Sequence, residues 1–247
     1  LRNKECDCST GRKLEQMLVE EGIDCDFNRL KEGQTRINVK IKADTELDVN
    51  AQGPDISEKE IGELMEKLDD IKEGDFLVLA GSIPSTLPDD IYERILARLQ
   101  KRKVNFVVDA TGDLLKNVLP YKPFLVKPNH HELGDLFGVE TKTEEDIVKY
   151  AKKVQEMGAR NVLVSRAKDG ATLIDENGNV TTFGNVDGKV VNSVGCGDSM
   201  VAGFVAGYIN KKDYAYALKL GASCGNATAF SEGLATADEI EHVFDIM

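Results

Sequence analysis

The chain has 247 residues, 41% of them hydrophobic, which suits one sizeable domain with a substantial core. Its formal net charge is −12 and lysines and arginines do not cluster, so neither nucleic acid nor an anionic membrane is an expected partner. Five cysteines without a Cys-x-x-Cys pair, and no apolar run long enough to cross a membrane, favour a cytoplasmic protein with reduced thiols.

Residues 36–41 alternate strictly between polar and apolar side chains, as a half-buried strand does. Arg36 and Asn38 share the polar face, and the apolar face needs a core or a partner. The pattern fits a small lid, with strands within about residues 34–52, and fits an ordinary edge strand equally well.

From about residue 57 helical and strand patterns alternate along the chain. Apolar strands are predicted at residues 76–80, 104–109, 124–127 and 161–165. The helices between them are predicted at residues 57–71, 89–101, 113–118, 130–137 and 143–157. This alternation indicates a mainly parallel sheet covered by helices on both faces. Residues 171–183 read instead as a hairpin that turns at Asn177-Gly178.

Ligands of parallel sheets gather at the carboxyl ends of the strands. Four polar residues lie at the carboxyl ends of successive predicted strands, namely Ser82, Asp109, Asn129 and Ser165. Asn129 with Glu132 fits a capping box, and it also fits a pair that contacts a hydrated Mg²⁺, often through water. The loop from Ser165 to Gly170 is either a plain connection or a contact to nucleotide phosphates through Arg166 or Lys168.

Residues 192–201 read Asn-Ser-Val-Gly-Cys-Gly-Asp-Ser-Met-Val, ahead of a run of small residues with a helical pattern. Gly195 and Gly197 permit close approach of a ligand to the backbone, and a helix N-terminus attracts anions, phosphate above all. Asp198 then suits a base that takes a proton from an attacking alcohol. A turn followed by an Asp N-cap is the structural alternative.

Small residues recur between positions 221 and 230, around Asn226. On a helix this composition usually means close packing against a neighbouring helix, and we favour that interpretation from the residues alone. The same small side chains would also leave room for a flat base such as adenine.

Together these motifs resemble the PfkB (ribokinase-like) carbohydrate kinases. The matching segments are the glycine loop ending at Asp198, Asn129 to Glu132 after Lys127-Pro128, and the Gly-Ser-x-Pro loop at residues 81–84. The resemblance implies an α/β, three-layer α/β/α fold with a mainly parallel sheet and a small β lid, residues 1–247 forming one kinase domain. It also implies ATP as phosphate donor, Mg²⁺ as cofactor and a homodimer formed through the lid.

The resemblance implies roles for individual residues. Asp198 would be the base, and the anion hole would be built from Gly195, Cys196 and Gly197. The sugar phosphate would contact Arg36, Asn38, Ser82 and Asp198, and Mg²⁺ would be held by Asn129 and Glu132. ATP would meet residues of four segments, namely Lys127, Ser165, Arg166, Ala167, Lys168, Asp169, Gly170, Gly197 and Asn226.

Within the family the chain most resembles the hexose-phosphate branch. The expected acceptor is fructose 1-phosphate, with tagatose 6-phosphate as the close alternative and a non-catalytic binding protein as the rival function. Two departures stand out, Cys196 where alanine is usual and Arg166-Ala167 in place of glycines. The resemblance begins near Ser9, so the family's opening strand and its Asn-Pro-x-x-Asp and Gly-Gly-Lys-Gly-x-Asn sugar motifs have no counterpart in this sequence.

Overall fold

The computed structural model describes residues 9–42, 46–81, 83–84 and 86–247. The chain forms two compact units: the hairpin unit, Leu1–Lys72 with Ser82–Leu99, and the sheet unit, Glu73–Gly81 with Gln100–Met247. In the described part of the chain, no helix combines the length and the apolar character that a membrane crossing requires.

The hairpin unit holds three helices and a two-stranded antiparallel sheet. The helices are α1 (Ser9–Glu20), α2 (Glu58–Lys67) and α3 (Ile91–Leu99), and the strands are β1 (Asn38–Lys42) and β2 (Glu46–Asn50). A capping box opens α2, where the Ser57 hydroxyl accepts from the Glu60 amide. Among the described strands, β1 and β2 pair only with each other.

One face of this hairpin is apolar and open to solvent. Val39 pairs with Val49 across the two strands, and alternate residues of a strand share a face. Ile37, Val39, Ile41 and Val49 are between 47% and 51% exposed. The lid role of the hairpin stays a prediction, but the predicted separation of polar and apolar side chains is present.

The sheet unit is built on six strands in the order β3-β4-β5-β6-β7-β8. The strands β3 to β6 are parallel, and β7 and β8 continue the sheet as an antiparallel hairpin. Their bounds are β3 (Phe76–Ala80), β4 (Asn105–Asp109), β5 (Leu125–Val126), β6 (Asn161–Ser165), β7 (Ala171–Ile174) and β8 (Val180–Phe183). The predicted, mainly parallel α/β fold is therefore confirmed, including the hairpin.

Helices cover both faces of this sheet. They are α4 (Gly112–Val118), α5 (His130–Phe137), α6 (Glu144–Glu156), α7 (Cys196–Lys211), α8 (Tyr214–Phe230) and α9 (Ala237–Ile246). Leu163 of β6 packs in the core formed with Phe204 of α7 and Leu218 of α8. Its neighbour Val162 points to the opposite face, since adjacent strand residues alternate, and α6 contacts β6 there.

Glycines bring α7 and α8 into close contact. A Cβ on Gly203 would lie 2.6 Å from the Cys224 sulfur, and one on Gly221 would lie 2.7 Å from the Met200 carbonyl oxygen. Either distance is far inside van der Waals contact. Close packing, favoured from the composition of residues 221–230, is what the structure shows.

Gly221→Ala is therefore expected to destabilise the protein by about 1–3 kcal/mol, because the added methyl group meets the backbone of α7. The control is Gly62→Ala in α2, where a Cβ has open space. There the same change should stabilise the fold by roughly 0.5–1 kcal/mol, since alanine loses less backbone entropy in a helix. Urea unfolding followed by circular dichroism measures both changes, and a gain in stability for both variants would contradict the close approach of α7 and α8.

Candidate active site

The N-terminus of α7 presents free backbone amides. Gly195 is the N-cap residue with φ of 81°, a left-handed conformation that favours glycine. The first hydrogen bond of the helix runs from the Ser199 amide to the Gly195 carbonyl, 2.8 Å. The amides of Cys196, Gly197 and Asp198 therefore have no acceptor within the helix, and together with the helix dipole they favour an anion.

Asp198 lies in the first turn of α7, and its side chain is exposed. The alternative that made Asp198 the N-cap is wrong, because the helix already begins at Cys196. Within the part of the chain that the structure describes, its carboxylate makes no hydrogen bond or ion pair. A carboxylate beside free amides and open to solvent is able to accept a proton from a bound alcohol.

The loop before α7 is fixed by its own side chains and by the loop after α8. The Asn192 side-chain oxygen accepts from the Val194 amide at 3.1 Å, and its nitrogen donates to the Glu232 carbonyl at 3.2 Å. A Cβ on Gly195 would lie 2.9 Å from a methyl group of Leu234. The left-handed backbone angle is what favours glycine there, because the Leu234 methyl group ends a flexible, 72% exposed side chain that can move aside.

Asp109 and Lys127 form an ion pair beside this helix. Val108 and Val126 are partners in the parallel pairing of β4 with β5, so the residues that follow them meet at the carboxyl end of the sheet. The Lys127 ammonium lies 3.2 Å from an Asp109 oxygen, and the two side chains are only 8% and 18% exposed. A Cβ on Gly197 would lie 3.2 Å from the same ammonium, so Lys127 reaches the first turn of α7.

Several charges act on Asp109. Burial raises the pKa of its carboxyl group, the Lys127 ammonium lowers that pKa, and the nearby carboxylates of Asp198 and Glu132 raise it again, so that the pKa lies above its ordinary value. The Asp109 carboxyl group is thus subject to one buried ammonium and to two further acidic side chains.

Asn129 and Glu132 form the capping box of α5. The Asn129 oxygen accepts from the Glu132 amide at 2.9 Å, and a Glu132 oxygen accepts from the Asn129 amide at 2.7 Å. Among the described residues there is no group of three histidine, cysteine, aspartate or glutamate side chains arranged for a metal ion. The capping interpretation is therefore confirmed, and contact with Mg²⁺ stays a prediction.

Two contacts hold the guanidinium of Arg166, in the loop after β6. The Arg166 guanidinium donates to the Asp169 carbonyl at 2.7 Å and lies 3.7 Å from a Glu144 oxygen on α6. Ala167 and Lys168 are exposed, and Gly170 is buried with φ of 89°. Ser165 forms a bridge with Asn129, which ties this end of the loop to the strand ends around Lys127.

Cys196 and Asn226 both lie where α7 meets α8. Burial raises the pKa of the Cys196 thiol, which donates to the Asn192 carbonyl. Asn226 is 5% exposed, and its amide donates to the Ala222 carbonyl one turn earlier. A Cβ on its neighbour Gly225 would lie 3.2 Å from the Cys196 carbonyl oxygen. The nucleotide contact of Asn226 stays a prediction.

The remaining predicted site residues belong to other parts of the chain. Arg36 and Asn38 lie in the hairpin unit, where a Cβ on Gly53 would be 3.6 Å from the Cβ of Arg36. Ser82 lies outside the described residues. The sequence predicted no specific role for Asp109. Its place at the end of an apolar strand was the available signal, as it was for Asn129.

The comparisons with known proteins agree with this geometry. The model of the pfkB family carbohydrate kinases matches residues 7–241. The chain belongs to the pfkB family of carbohydrate kinases. The 1-phosphofructokinase of Bacillus subtilis is 45% identical over 95% of this chain and 77% of its own length. The D-tagatose-1-phosphate kinase of Bacillus licheniformis is 36% identical, over 94% of this chain and 76% of its own length.

Solved structures of pfkB-type kinases share the fold. Phosphofructokinase-2 from Escherichia coli, crystallised with substrates and products, superposes with a TM-score of 0.89 at 25% identity. The match covers 96% of this chain and 79% of that chain. The α/β architecture is therefore ribokinase-like, and the predicted family is confirmed.

Substitutions of Asn129 separate its capping role from any contact with ligand. Asn129→Ala removes the cap and is expected to cost about 1 kcal/mol of stability, whereas Asn129→Ser keeps a capping oxygen and should cost only a few tenths. Thr143→Ala, in the capping box of α6, is the matched control and should cost about as much as Asn129→Ala.

Urea unfolding measures the stability of the three variants, and calorimetry measures their binding of ATP with Mg²⁺. Weaker binding by Asn129→Ser at unchanged stability would show a direct role for the amide. Unchanged binding by Asn129→Ser would leave Asn129 with the capping role alone.

Proposed function

We propose that this pfkB-family kinase transfers the γ-phosphate of ATP to the 6-hydroxyl of fructose 1-phosphate. The observation that carries the proposal is the exposed carboxylate of Asp198 beside the free amides of α7 and the ammonium of Lys127. The similarity to the 1-phosphofructokinase of Bacillus subtilis supports this choice of acceptor. The free thiols of Cys25, Cys196 and Cys224 suit the reducing cytoplasm in which we expect the reaction to take place.

In this mechanism Asp198 accepts the hydroxyl proton as the sugar oxygen attacks the γ-phosphorus. The new oxygen–phosphorus bond forms while the bond to the β-phosphate oxygen breaks, and ADP leaves. The amides of Cys196 and Gly197 and the Lys127 ammonium stabilise negative charge on the phosphates, because phosphoryl transfer depends mostly on positioning and electrostatics. The Cys196 thiol takes no part, since its pKa is raised and the backbone makes the contact.

Asn129 and Glu132 would hold Mg²⁺ through its water shell, and the ion would supply charge neutralisation at the ATP phosphates. Each of the two oxygens used in the capping box keeps a lone pair, and Glu132 has a second carboxylate oxygen, so an indirect contact fits the residues present. On the sugar side, Arg36 would bind the phosphate of the acceptor, with Asn38 and Ser82 contacting the sugar. Lys168 and Asn226 would complete the ATP contacts.

Tagatose 1-phosphate is the second candidate acceptor, because a D-tagatose-1-phosphate kinase is also similar to this chain. Both relatives are named for sugars that carry phosphate on carbon 1, which disfavours tagatose 6-phosphate. Rates of ADP release with the three sugar phosphates, measured side by side, select among them. ATP binding without turnover of any of them would favour the non-catalytic rival.

Asp198→Asn is expected to lower turnover by roughly 10²–10⁴-fold, because the variant has no base for the hydroxyl proton. Its affinity for ATP should change little, since the amides of α7 remain. The control is Asp238→Asn, which removes an exposed carboxylate from the first turn of α9 and should leave turnover unchanged. A coupled ADP-release assay and calorimetry with ATP measure both quantities, and equal losses of binding and turnover in Asp198→Asn would point to a structural role for Asp198.

We also propose that two copies of the chain associate through the apolar face of the β1–β2 hairpin. Four half-exposed aliphatic side chains on that face support this arrangement. Val39→Lys is expected to shift the protein from dimer to monomer in light scattering after gel filtration, because it places a charge in the interface. Val180→Lys changes a valine of β8 that is 42% exposed, against 48% for Val39, and should leave the mass unchanged. A wild-type protein that stays monomeric at every concentration measured would rule this interface out.

A further inference from the structure

The place of the Lys127 ammonium is electrostatically unfavourable in the absence of ligand. It lies against Gly197 in the first turn of α7, where the helix dipole and the free amides are already positive. A lysine side chain has four flexible methylene groups, and an exposed lysine would turn away into solvent. Lys127 is instead only 7% exposed.

The Asp109 carboxylate compensates for the unfavourable place of the Lys127 ammonium. Its oxygen lies 3.2 Å from the ammonium, and the register of β4 with β5 fixes both backbones. Buried ion pairs often contribute little net stability, because the attraction between the charges only offsets their loss of hydration. The pair is therefore better explained by where it holds the ammonium than by the stability it adds.

We propose that Asp109 is a positioning residue for phosphoryl transfer, whose carboxylate holds the Lys127 ammonium at the N-terminus of α7 where a phosphate group of ATP binds. This inference rests on the proposed function. Asp109 does not contact the reacting atoms in this account. Asp109 acts through Lys127. Without Asp109, the Lys127 ammonium would lose the partner that keeps it beside Gly197.

The direction in which Asp109→Asn changes the affinity for ATP separates positioning from a simple charge effect. A carboxylate near a bound phosphate repels it, so Asp109→Asn would tighten ATP binding if charge alone mattered. Positioning predicts the reverse, because the neutral amide leaves Lys127 unheld. The variant keeps the size of the side chain, so packing changes little.

A double-mutant cycle on ATP affinity tests this prediction by calorimetry. Asp109→Asn is expected to weaken ATP binding about tenfold in the wild-type background and less than about twofold in the Lys127→Met background, as expected for coupled neighbours. The matched control is the exposed pair of Lys116 with Asp113, also at 3.2 Å. Asp113→Asn should leave ATP affinity unchanged in either the wild-type or the Lys116→Met background.

A spectroscopic measurement reports on the Lys127 ammonium directly. In protein labelled with ¹⁵N at the lysine side chains, the signal that is absent from Lys127→Arg should move when ATP is added. In Asp109→Asn that signal should broaden and lose most of this movement. A Lys127 signal that does not move when ATP is added to the wild-type protein would overturn the proposal.

The outcomes also separate this proposal from the proposed function. If the wild-type protein failed to bind ATP, the kinase function itself would fail. If wild-type binding were normal and Asp109→Asn bound ATP equally well or more tightly, only the positioning role would be wrong. If Asp109→Asn and Lys127→Met lowered ATP affinity by factors that simply multiply in the double variant, the positioning role would likewise be wrong.

Discussion

The close contact between α7 and α8 is the constraint on which the candidate active site depends. Gly203 and Gly221 allow the two backbones to approach until only glycine fits, so the direction of α7 is fixed by α8. Gly225 continues this contact up to the carbonyl of Cys196, at the first residue of α7. The amides that face the ligand are therefore held by helix packing rather than by the loop alone. A helix N-terminus fixed in this way stabilises charge without reorganising during the reaction.

The parallel register of the sheet supplies the other half of the site. Asp109 and Lys127 are 18 positions apart in the sequence, yet the pairing of Val108 with Val126 brings them together. Ser165 joins this group through its bridge with Asn129. Three consecutive crossover connections thus deliver charged and polar side chains to one edge, as expected for ligand sites of parallel sheets.

The sequence predicted the elements well wherever a local rule decided them. Apolar runs located β3 and β6, and the capping box of Asn129 with Glu132 located the start of α5. It failed to predict α1 and α9, although the capping box of Thr236 with Glu239 was an available signal for the start of α9. It left the N-cap of α7 open, because a Gly-x-Gly-Asp string permits both a helix from Cys196 and an Asp cap. The φ of 81° at Gly195 and the hydrogen bond from the Ser199 amide to the Gly195 carbonyl decide between them.

The site was less predictable than the fold, because its charges meet through long-range pairing. Nothing local to Asp109 indicates that Lys127 will neutralise it. Likewise the sequence of the loop after β6 suggested a cation for phosphate in Arg166, while α6 places Glu144 and the loop places the Asp169 carbonyl beside that guanidinium. Side chains near a predicted site find partners in elements that no local pattern connects to them.

The charge of the whole chain makes this local arrangement necessary. A protein with a net charge of −12 repels ATP and sugar phosphates at long range, so attraction has to be concentrated at short range. The amides of α7 do this without a formal charge, and Lys127 adds one buried cation beside them. Because Lys127 is paired with Asp109, its charge is balanced by that carboxylate. An arriving phosphate then meets an ammonium that is already in place.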